Sequence, residues 1–298
     1  MEILIAKSSG FCFGVKRAIN MAHECADKSD EEIYTLGPII HNPQVVKELE
    51  LSQIVPRDGV DEIDKGTVIV RSHGITLQES EEIKNKGLIK IDATCPFVTK
   101  AHKIISFLSR EGYSVIIVGE REHPEVQGIL SYGSGDIMVA ASVDEIEGMA
   151  VKGKLGIVAQ TTQSIKNLQE IVAFCLDKCS ELWVYNTICN ATSVRQSDSS
   201  DLAQHVDCMV VVGGRNSANT NRLAEMCRRI QPKTYHVEVA SEVDTSWFDG
   251  VERVGITAGA STPDWIINEV VALVKEVGDR GGEPCRCVVV EAENESKG

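Results

Sequence analysis

The chain has 298 residues, of which 43% are hydrophobic, and its formal net charge is −14. That hydrophobic content is enough for a packed core, and the length suits one large unit or two to three small ones. An acidic surface repels nucleic acid, so we expect no DNA or RNA partner. No apolar run approaches the ~20 residues that cross a bilayer, and the amino terminus does not resemble a signal peptide. We therefore expect a cytoplasmic protein with no membrane partner.

Short runs of Val and Ile alternate with amphipathic stretches along most of the chain. Each run is closed by Gly or polar residues, as is typical of parallel strands buried on both faces. The stretch from Pro96 to Arg110 has apolar residues at helical spacing. Strands that alternate with helices predict an α/β fold with parallel sheets. The predicted strands include residues 1–6, Thr67 to Arg71, Ser114 to Val118, Leu155 to Ala159 and Cys208 to Val212.

A pattern of strand, cysteine and helix occurs three times, around Cys12, Cys95 and Cys189. Its period of about 80–95 residues is longer than the ~20–50 residues of solenoid repeats. The pattern therefore predicts three pseudo-symmetric α/β lobes with mostly parallel sheets. The polar, Gly-rich segment at the carboxyl end is expected to be a loosely held tail. The predicted divisions are lobes at 14–95, 96–189 and 190–277, a first strand at 1–13 that joins the last lobe, and the tail at 278–298.

Cys12, Cys95 and Cys189 each lie where a predicted strand ends and a helix begins. A helix N-terminus favours the thiolate, and ligands gather at the carboxyl ends of parallel strands. Soft sulfur ligands select zinc, copper(I) or an iron–sulfur cluster. A cubane bound by three cysteines leaves one iron open to act as a Lewis acid. The alternative is three buried structural cysteines, since buried Cys is common.

The other seven cysteines are assigned to structural roles. Ten cysteines without a secretion signal indicate reduced thiols, which are often core residues. Cys175 and Cys179 are four residues apart on one predicted helix and would need further partners to bind a metal. The remaining five are Cys25, Cys208 and Cys227, expected in the core or on a helix face, and Cys285 and Cys287 in the predicted tail.

Four short polar segments carry residues suited to binding an anion at the ends of predicted strands. Their side chains donate hydrogen bonds without the bulk of Lys, and helices that begin at Pro124 or Asn219 would add backbone N–H groups. There is no Walker A or GxGxxG sequence, so ordinary nucleotide-binding modules are not indicated. Each histidine has a structural alternative as a surface or core residue, but their recurrence at equivalent points favours a function. The candidates are His41, His73, His123, Ser217 and Asn219.

Four further residues have both a functional and a structural interpretation. Glu125 beside a metal cluster and a bound anion would meet negative charge and desolvation, which favour its protonated form and suit it to proton donation. Its alternative is a solvated residue at a helix start. Thr161 and Thr162 follow a strand, and their hydroxyls either contact a substrate oxygen or cap the next helix. Ser261, in a Gly loop, suits anion binding or capping equally.

Nine motifs together resemble those of the 4-hydroxy-3-methylbut-2-enyl diphosphate reductase family, the LytB-type iron–sulfur reductases. The resemblance covers the chain from about Ile3 to Val274, and chance agreement across all nine motifs is not a serious option. The motifs are GFCFGVKRA, LGPIIHNPQVV, RSHG, DATCPFVTKAH, HPEVQG, QTTQS, NTICNAT with RQ following, NSANTNRL and TAGASTP.

The resemblance implies a trefoil of three α/β lobes around an oxygen-sensitive [4Fe–4S] cluster with one iron that has no protein ligand. It matches Glu125 to the proton-delivering Glu and Thr161 to the Thr that contacts the substrate hydroxyl, with Thr162 as a possible further contact. Similar proteins often carry a second Ser where this chain has Ala218, whose backbone N–H remains. The cluster ligands match Cys12, Cys95 and Cys189, and the substrate-binding residues match His41, His73, His123, Ser217, Asn219 and Ser261.

The implied reaction is the reductive dehydroxylation of 4-hydroxy-3-methylbut-2-enyl diphosphate to isopentenyl and dimethylallyl diphosphate in the non-mevalonate isoprenoid pathway. It needs a ferredoxin- or flavodoxin-type electron donor. Because such donors are usually acidic, a local basic patch near Lys16 and Arg17 is the expected contact. The residues alone leave two alternatives, a three-thiolate zinc hydrolase of a phosphorylated substrate and a non-enzymatic iron–sulfur sensor.

Overall fold

The computed structural model describes residues 1–29, 31–149, 153–279 and 284–290. Strands and helices alternate along these residues, which confirms the predicted α/β class. No helix of the described residues is long and apolar enough to cross a lipid bilayer. The strands are β1 (Glu2–Ala6), β2 (Ile33–Leu36), β3 (Ile54–Arg57), β4 (Thr67–Val70), β5 (Ile89–Asp92), β6 (Ser114–Val118), β7 (Ile137–Ala140), β8 (Lys154–Ala159), β9 (Glu181–Tyr185), β10 (Cys208–Val212), β11 (Thr234–Val237), β12 (Arg253–Ala258) and β13 (Arg286–Val290).

The helices lie between these strands. The predicted helix from Pro96 to Arg110 is confirmed with those bounds, beginning with Pro in its first turn and ending on a cation, as helix ends favour. The helices are α1 (Phe13–Ala26), α2 (Pro43–Leu51), α3 (Leu77–Asn85), α4 (Pro96–Arg110), α5 (Pro124–Ser131), α6 (Ile165–Cys175), α7 (Asn190–Ala203), α8 (Ala218–Ile230) and α9 (Asp264–Asp279).

The strands form three parallel sheets with a repeated strand order. The orders are β3-β2-β4-β5, β7-β6-β8-β9 and β11-β10-β12-β1-β13. Strands β2, β6 and β10 each pair on one side with the next strand of the chain and on the other side with the strand after that. The order reverses between β2 and β4, between β6 and β8, and between β10 and β12. Such a reversal is a topological switch point, where a crevice opens beyond the carboxyl ends of the strands.

Apolar side chains from both faces of the central strands are buried. In β6, Ile116 packs in one cluster with Leu168 of α6, whereas Ile117 packs in another with Ile105 of α4. Every residue of β4 and β10 is buried. Burial on both faces explains why these strands are near-continuous runs of Val and Ile rather than alternating ones.

The chain divides into two compact units. The first comprises Met1–Phe13, His41–Pro43 and the chain from Asn190 onward, and it contains the five-stranded sheet. The second comprises Gly14–Ile40 and Gln44–Cys189, and it contains the two four-stranded sheets. The division into three lobes at the predicted boundaries stays a proposal.

The carboxyl-terminal segment differs from the expectation for it. Residues Arg286–Val290 form β13, which pairs in parallel with β1, and the backbone N–H of Cys285 donates to Asp279 Oδ1 at 2.6 Å. Three consecutive valines favour a strand, and they extend the sheet beyond β1. Residues 284–290 are therefore not a loosely held tail. Of the rest of that predicted segment, residues 278 and 279 belong to α9, and 280–283 and 291–298 lie outside the described residues.

The end of α6 corrects a second expectation. Cys175 and Cys179 were expected on one helix, but α6 ends at Cys175, and Cys179 lies in the turn before β9. The N–H groups of Ser180 and Glu181 donate to the Gly153 carbonyl, so the chain must leave the helix to enter the sheet.

We expect Ile116→Ala to lower the free energy of unfolding by about 2–5 kcal/mol, because it leaves a cavity where a fully buried side chain packs. Urea-induced unfolding followed by circular dichroism measures the change. Val289→Ala in β13 is the control, since 63% of Val289 is exposed, and its effect should stay within about 0.5 kcal/mol. Equal losses in the two variants would contradict this account of the core.

Candidate active site

The polar candidate residues follow the two strands that flank each switch point. Because carboxyl ends of parallel strands meet at one edge, the chain leaves two such strands at the same edge of their sheet. The sequence alone shows only the order of these residues along the chain. His41 follows β2 and His73 follows β4; His123 and Glu125 follow β6, and Thr161 and Thr162 follow β8; Ser217, Ala218 and Asn219 follow β10, and Ser261 follows β12.

Each of the three candidate cysteines follows a strand that pairs with β4, β8 or β12 on the side away from the switch point. Cys95 follows β5 and Cys189 follows β9, whereas Cys12 follows β1, which has the same position beside β12. Each cysteine directly precedes a helix, namely α4, α7 and α1, and each is partly exposed. Position at a helix N-terminus with access to solvent suits a reactive or metal-binding thiolate.

Most of the other cysteines have the properties of structural residues. Burial raises the pKa of Cys208 to about 11 and that of Cys227 to about 12. A thiol with so high a pKa stays protonated at neutral pH, which disfavours metal binding. Burial raises the pKa in the same direction for Cys25, Cys175, Cys179 and Cys285.

In the second unit, hydrogen bonds connect Glu125 to Cys189 through Thr161. The Thr161 backbone N–H donates to Glu125 Oε1 at 2.6 Å, and its hydroxyl donates to Oε2 at 2.7 Å. The Thr161 carbonyl accepts the backbone N–H of Cys189 at 3.0 Å. Glu125 is only 1% exposed, so these bonds fix a carboxyl group that water hardly reaches. One threonine therefore positions both an acid and the backbone of a candidate cysteine.

His123 and His73 lie on the other side of this group within the second unit. The Glu125 backbone N–H donates to His123 Nδ1 at 3.1 Å, so this nitrogen is an acceptor and the ring proton is on Nε2. The rings of His73 and His123 meet edge to face with centroids 5.7 Å apart. Beside His73, the Ser72 carbonyl accepts the backbone N–H of Cys95 at 3.0 Å. The unit thus brings together two histidines, Glu125, Thr161 and the segments that carry two cysteines.

The first unit has a corresponding group around Cys12. The Cys12 backbone N–H donates to the Ala260 carbonyl at 3.1 Å, and the hydroxyl of the next residue, Ser261, donates to the His41 carbonyl at 3.1 Å. A Cβ atom at Gly214 would lie 2.7 Å from the same carbonyl oxygen. Only glycine allows this approach, so the Gly-Gly pair after β10 brings its loop against the His41 segment.

Ser217, Ala218 and Asn219 form the start of α8. Ser217 is the N-cap, and its hydroxyl accepts the Thr220 backbone N–H at 3.3 Å. Ala218 begins the helix, where backbone N–H groups have no partner within the helix. The Asn219 side chain is 3% exposed, and neither of its amide atoms has a hydrogen-bond partner among the described residues. An unsatisfied buried amide is costly, so this side chain suits a polar ligand.

His102 is a residue of this region that the analysis of sequence missed. Its ring is 6% exposed and stacks on Tyr132 with centroids 4.3 Å apart. A Cβ at Gly74 would lie 3.0 Å from the ring, and one at Gly128 would lie 3.3 Å from it. The ring therefore packs against the backbone beside His73 and against α5. Burial lowers its pKa to about 4, so it is neutral at pH 7. The signal available in the sequence was the position of His102 among the apolar residues on the buried face of α4.

Residues 3–275 match the family model described as LytB protein. The chain belongs to the LytB family. It is 54% identical over 279 residues to the 4-hydroxy-3-methylbut-2-enyl diphosphate reductase of Trichlorobacter lovleyi, a match that covers 94% of this chain and 99% of the relative. The reductase of the same name from Pelobacter propionicus is 52% identical over 280 residues, with 94% and 100% covered.

Two solved structures resemble this member of the LytB family. One is (E)-4-hydroxy-3-methyl-but-2-enyl diphosphate reductase, described as the terminal enzyme of the non-mevalonate pathway, with 47% identity, a TM-score of 0.68, and coverage of 93% of this chain and 100% of that one. The other is the E-1-hydroxy-2-methyl-but-2-enyl-4-diphosphate reductase of Plasmodium falciparum, with 27% identity, a TM-score of 0.91, and coverage of 100% and 94%.

The LytB family is consistent with an iron–sulfur group, and the three candidate cysteines are partly exposed thiols at helix starts. Cys12 belongs to the first unit, whereas Cys95 and Cys189 belong to the second. Thiolates are the ligands that such clusters take. No three His, Cys, Asp or Glu side chains of the described ranges form a group that could bind one metal ion. A cubane does not require its protein ligands to surround one metal ion, because each cysteine binds a different iron atom.

We expect His102 to make the stability depend on pH. An unfolded histidine takes up a proton near pH 6.5, whereas the buried ring does so only near pH 4. Unfolding therefore binds a proton between these values, and the free energy of unfolding should fall by up to about 3 kcal/mol as the pH drops through them. Urea unfolding of wild type and His102→Gln at pH 7 and pH 4.5 should show a smaller drop in the variant. Exposed His205→Gln is the control, and equal drops in all three proteins would contradict the assignment.

Proposed function

We propose that this chain catalyses the reductive dehydroxylation of 4-hydroxy-3-methylbut-2-enyl diphosphate, giving isopentenyl or dimethylallyl diphosphate at the end of the non-mevalonate pathway. Each turnover consumes two electrons and two protons, breaks the allylic C–O bond and releases water. The observation that carries the proposal is the buried chain of hydrogen bonds from Glu125 through Thr161 to Cys189, in a member of the LytB family. It joins a proton donor to a segment with a candidate metal ligand.

The diphosphate end of the substrate is assigned to neutral donors. The chain carries a net charge of −14, so an anion must be bound by local groups. Asn219 supports this assignment most directly, because its buried amide has no protein partner among the described residues. We assign to the diphosphate His41, His73, His123, Ser217, Asn219, Ser261 and the Ala218 backbone N–H. The Ser261 hydroxyl would exchange its bond to the His41 carbonyl for one to the diphosphate.

Proton delivery is assigned to Glu125. When protonated, it can pass its proton through the Thr161 hydroxyl, to which it is hydrogen-bonded at 2.7 Å. Thr161 then contacts the substrate hydroxyl, and Thr162, whose hydroxyl accepts a hydrogen bond from Gln160 at 3.1 Å, is a further possible contact. The burial of Glu125 excludes competing water, so the proton goes to the departing hydroxyl group.

We assign Cys12, Cys95 and Cys189 to a [4Fe–4S] cluster with one iron that has no protein ligand. Such a cluster would supply electrons one at a time and a Lewis-acid iron for the substrate hydroxyl. The chain has no dinucleotide-binding or Walker sequence, so the electrons must come from outside. We propose a ferredoxin- or flavodoxin-type protein as the donor and the cytoplasm as the compartment.

Anaerobic purification followed by turnover tests this function. We expect a brown protein with about four irons that, with a reduced viologen, converts the diphosphate substrate to the two products. Cys95→Ser should lose iron and activity, whereas the exposed Cys287→Ser should keep both. A colourless protein with one zinc would instead favour a hydrolase. A brown protein that never turns over the substrate would favour a sensor.

Glu125→Gln should lower turnover by about 10²–10⁴-fold, because the amide has no acidic proton to deliver. Iron content and the unfolding midpoint should stay near wild-type values. Exposed Glu122→Gln, from the same loop, is the matched control and should leave turnover unchanged. Near-normal turnover of the Glu125 variant would remove Glu125 from the mechanism.

A further inference from the structure

We propose that a basic groove on the second unit is the docking surface for an acidic one-electron carrier protein. The basic groove is the cavity of about 440 Å³ along α4, lined by residues that include Lys90, Asp92, Thr94, Lys103, Phe107 and Arg110. This inference rests on the proposed function, because only a reductase needs an electron donor.

The charge of the basic groove is opposite to that of the chain as a whole. Lys90, Lys103 and Arg110 face one acidic lining residue, Asp92, in a protein whose net charge is −14. One Asp92 oxygen accepts the Thr94 backbone N–H at 3.0 Å, so this carboxylate is engaged in the turn before α4. A local cationic surface on an acidic protein attracts a partner that presents carboxylates and repels most other surfaces of the same protein.

One end of the basic groove lies beside a proposed cluster ligand. Thr94 lines the groove and directly precedes Cys95 in the chain. Arg17 of α1 donates to the Thr94 carbonyl at 3.2 Å and to the Asp92 carbonyl at 3.4 Å, which adds a fourth cation at this end. A carrier seated here would bring its redox group toward the segment that holds Cys95.

The other end carries an aromatic surface of the kind that binds proteins. Trp183 of the edge strand β9 stacks on Phe107 of the groove wall, with centroids 5.8 Å apart, and is 40% exposed. The next residue, Val184, is 41% exposed. Exposed Trp beside Arg is typical of the energetically dominant part of a protein interface. A small anion would need only the cations, so this apolar extension favours a protein partner.

Charge reversal tests the docking surface. In the double variant Lys103→Glu/Arg110→Glu, we expect kcat/KM for a reduced, acidic plant-type [2Fe–2S] ferredoxin to fall at least tenfold at low ionic strength, because electrostatic steering raises association rates by about 10–10³-fold. The loss should shrink as salt is added. Calorimetric titration of the oxidised ferredoxin into each protein should show the same weakening, independently of turnover.

A second double variant controls for charge alone. Lys47→Glu/Lys166→Glu makes the same change in net charge at exposed positions outside the basic groove, and Lys166 has an exposed ion pair with Glu170 at 3.9 Å, as Arg110 has with Glu111 at 3.5 Å. It should bind and use the ferredoxin within about twofold of wild type. Trp183→Ala should weaken ferredoxin binding without changing its dependence on salt.

The two reductants separate this inference from the proposed function. With the reduced viologen, which needs no docking, the Lys103/Arg110 variant should turn over like wild type. If neither reductant supports turnover of the wild type, the proposed function fails. If the viologen does and ferredoxin kinetics are equal in both double variants, the docking surface is wrong. Binding of inorganic phosphate that is lost in the Lys103/Arg110 variant, with unchanged ferredoxin affinity, would identify a small-anion site and also overturn the proposal.

Discussion

Parallel strand pairing is the constraint on which the candidate site depends. Strands that run in one direction must end at one edge of their sheet, and the reversal of strand order beside β2, β6 and β10 opens a crevice at that edge. Because all three sheets share this order, candidate residues of the same kind follow equivalent strands. Polar donors follow the strands on either side of the reversal, and a cysteine follows the strand beyond them. Repetition of one topology thus puts the candidate residues at equivalent strand ends.

Few of the candidate site residues carry a full charge. Within the second unit, Thr161 fixes both oxygens of Glu125 and also the backbone of Cys189. Within the first, the Asn219 amide is a neutral donor, whereas the Ser261 hydroxyl donates to the His41 carbonyl. A neutral amide supplies directed hydrogen bonds without a strong ion pair. Because the chain as a whole is acidic, cations such as Lys103 form a local surface whose charge is opposite to the net charge.

The sequence was a good guide to elements whose signal is local. The buried runs predicted β6 and β10 with their bounds, because strands covered on both faces have no polar positions. Features that depend on distant partners were not predictable in this way. The strand β13 exists because β1 offers it an edge, and the role of His102 depends on glycines from two other segments that approach its ring. Motifs named the candidate residues, but only the fold shows that Thr161 bonds Glu125.

The position of β1 has a consequence for the order of biosynthesis. This strand is synthesised before its neighbours β12 and β13, which lie far along the chain. The loop after β1, with Cys12, also takes its backbone partner from Ala260. Such high contact order delays folding of this sheet until β12 and β13 have been made. The loop that carries Cys12 can therefore take its folded position only after translation has passed Ala260.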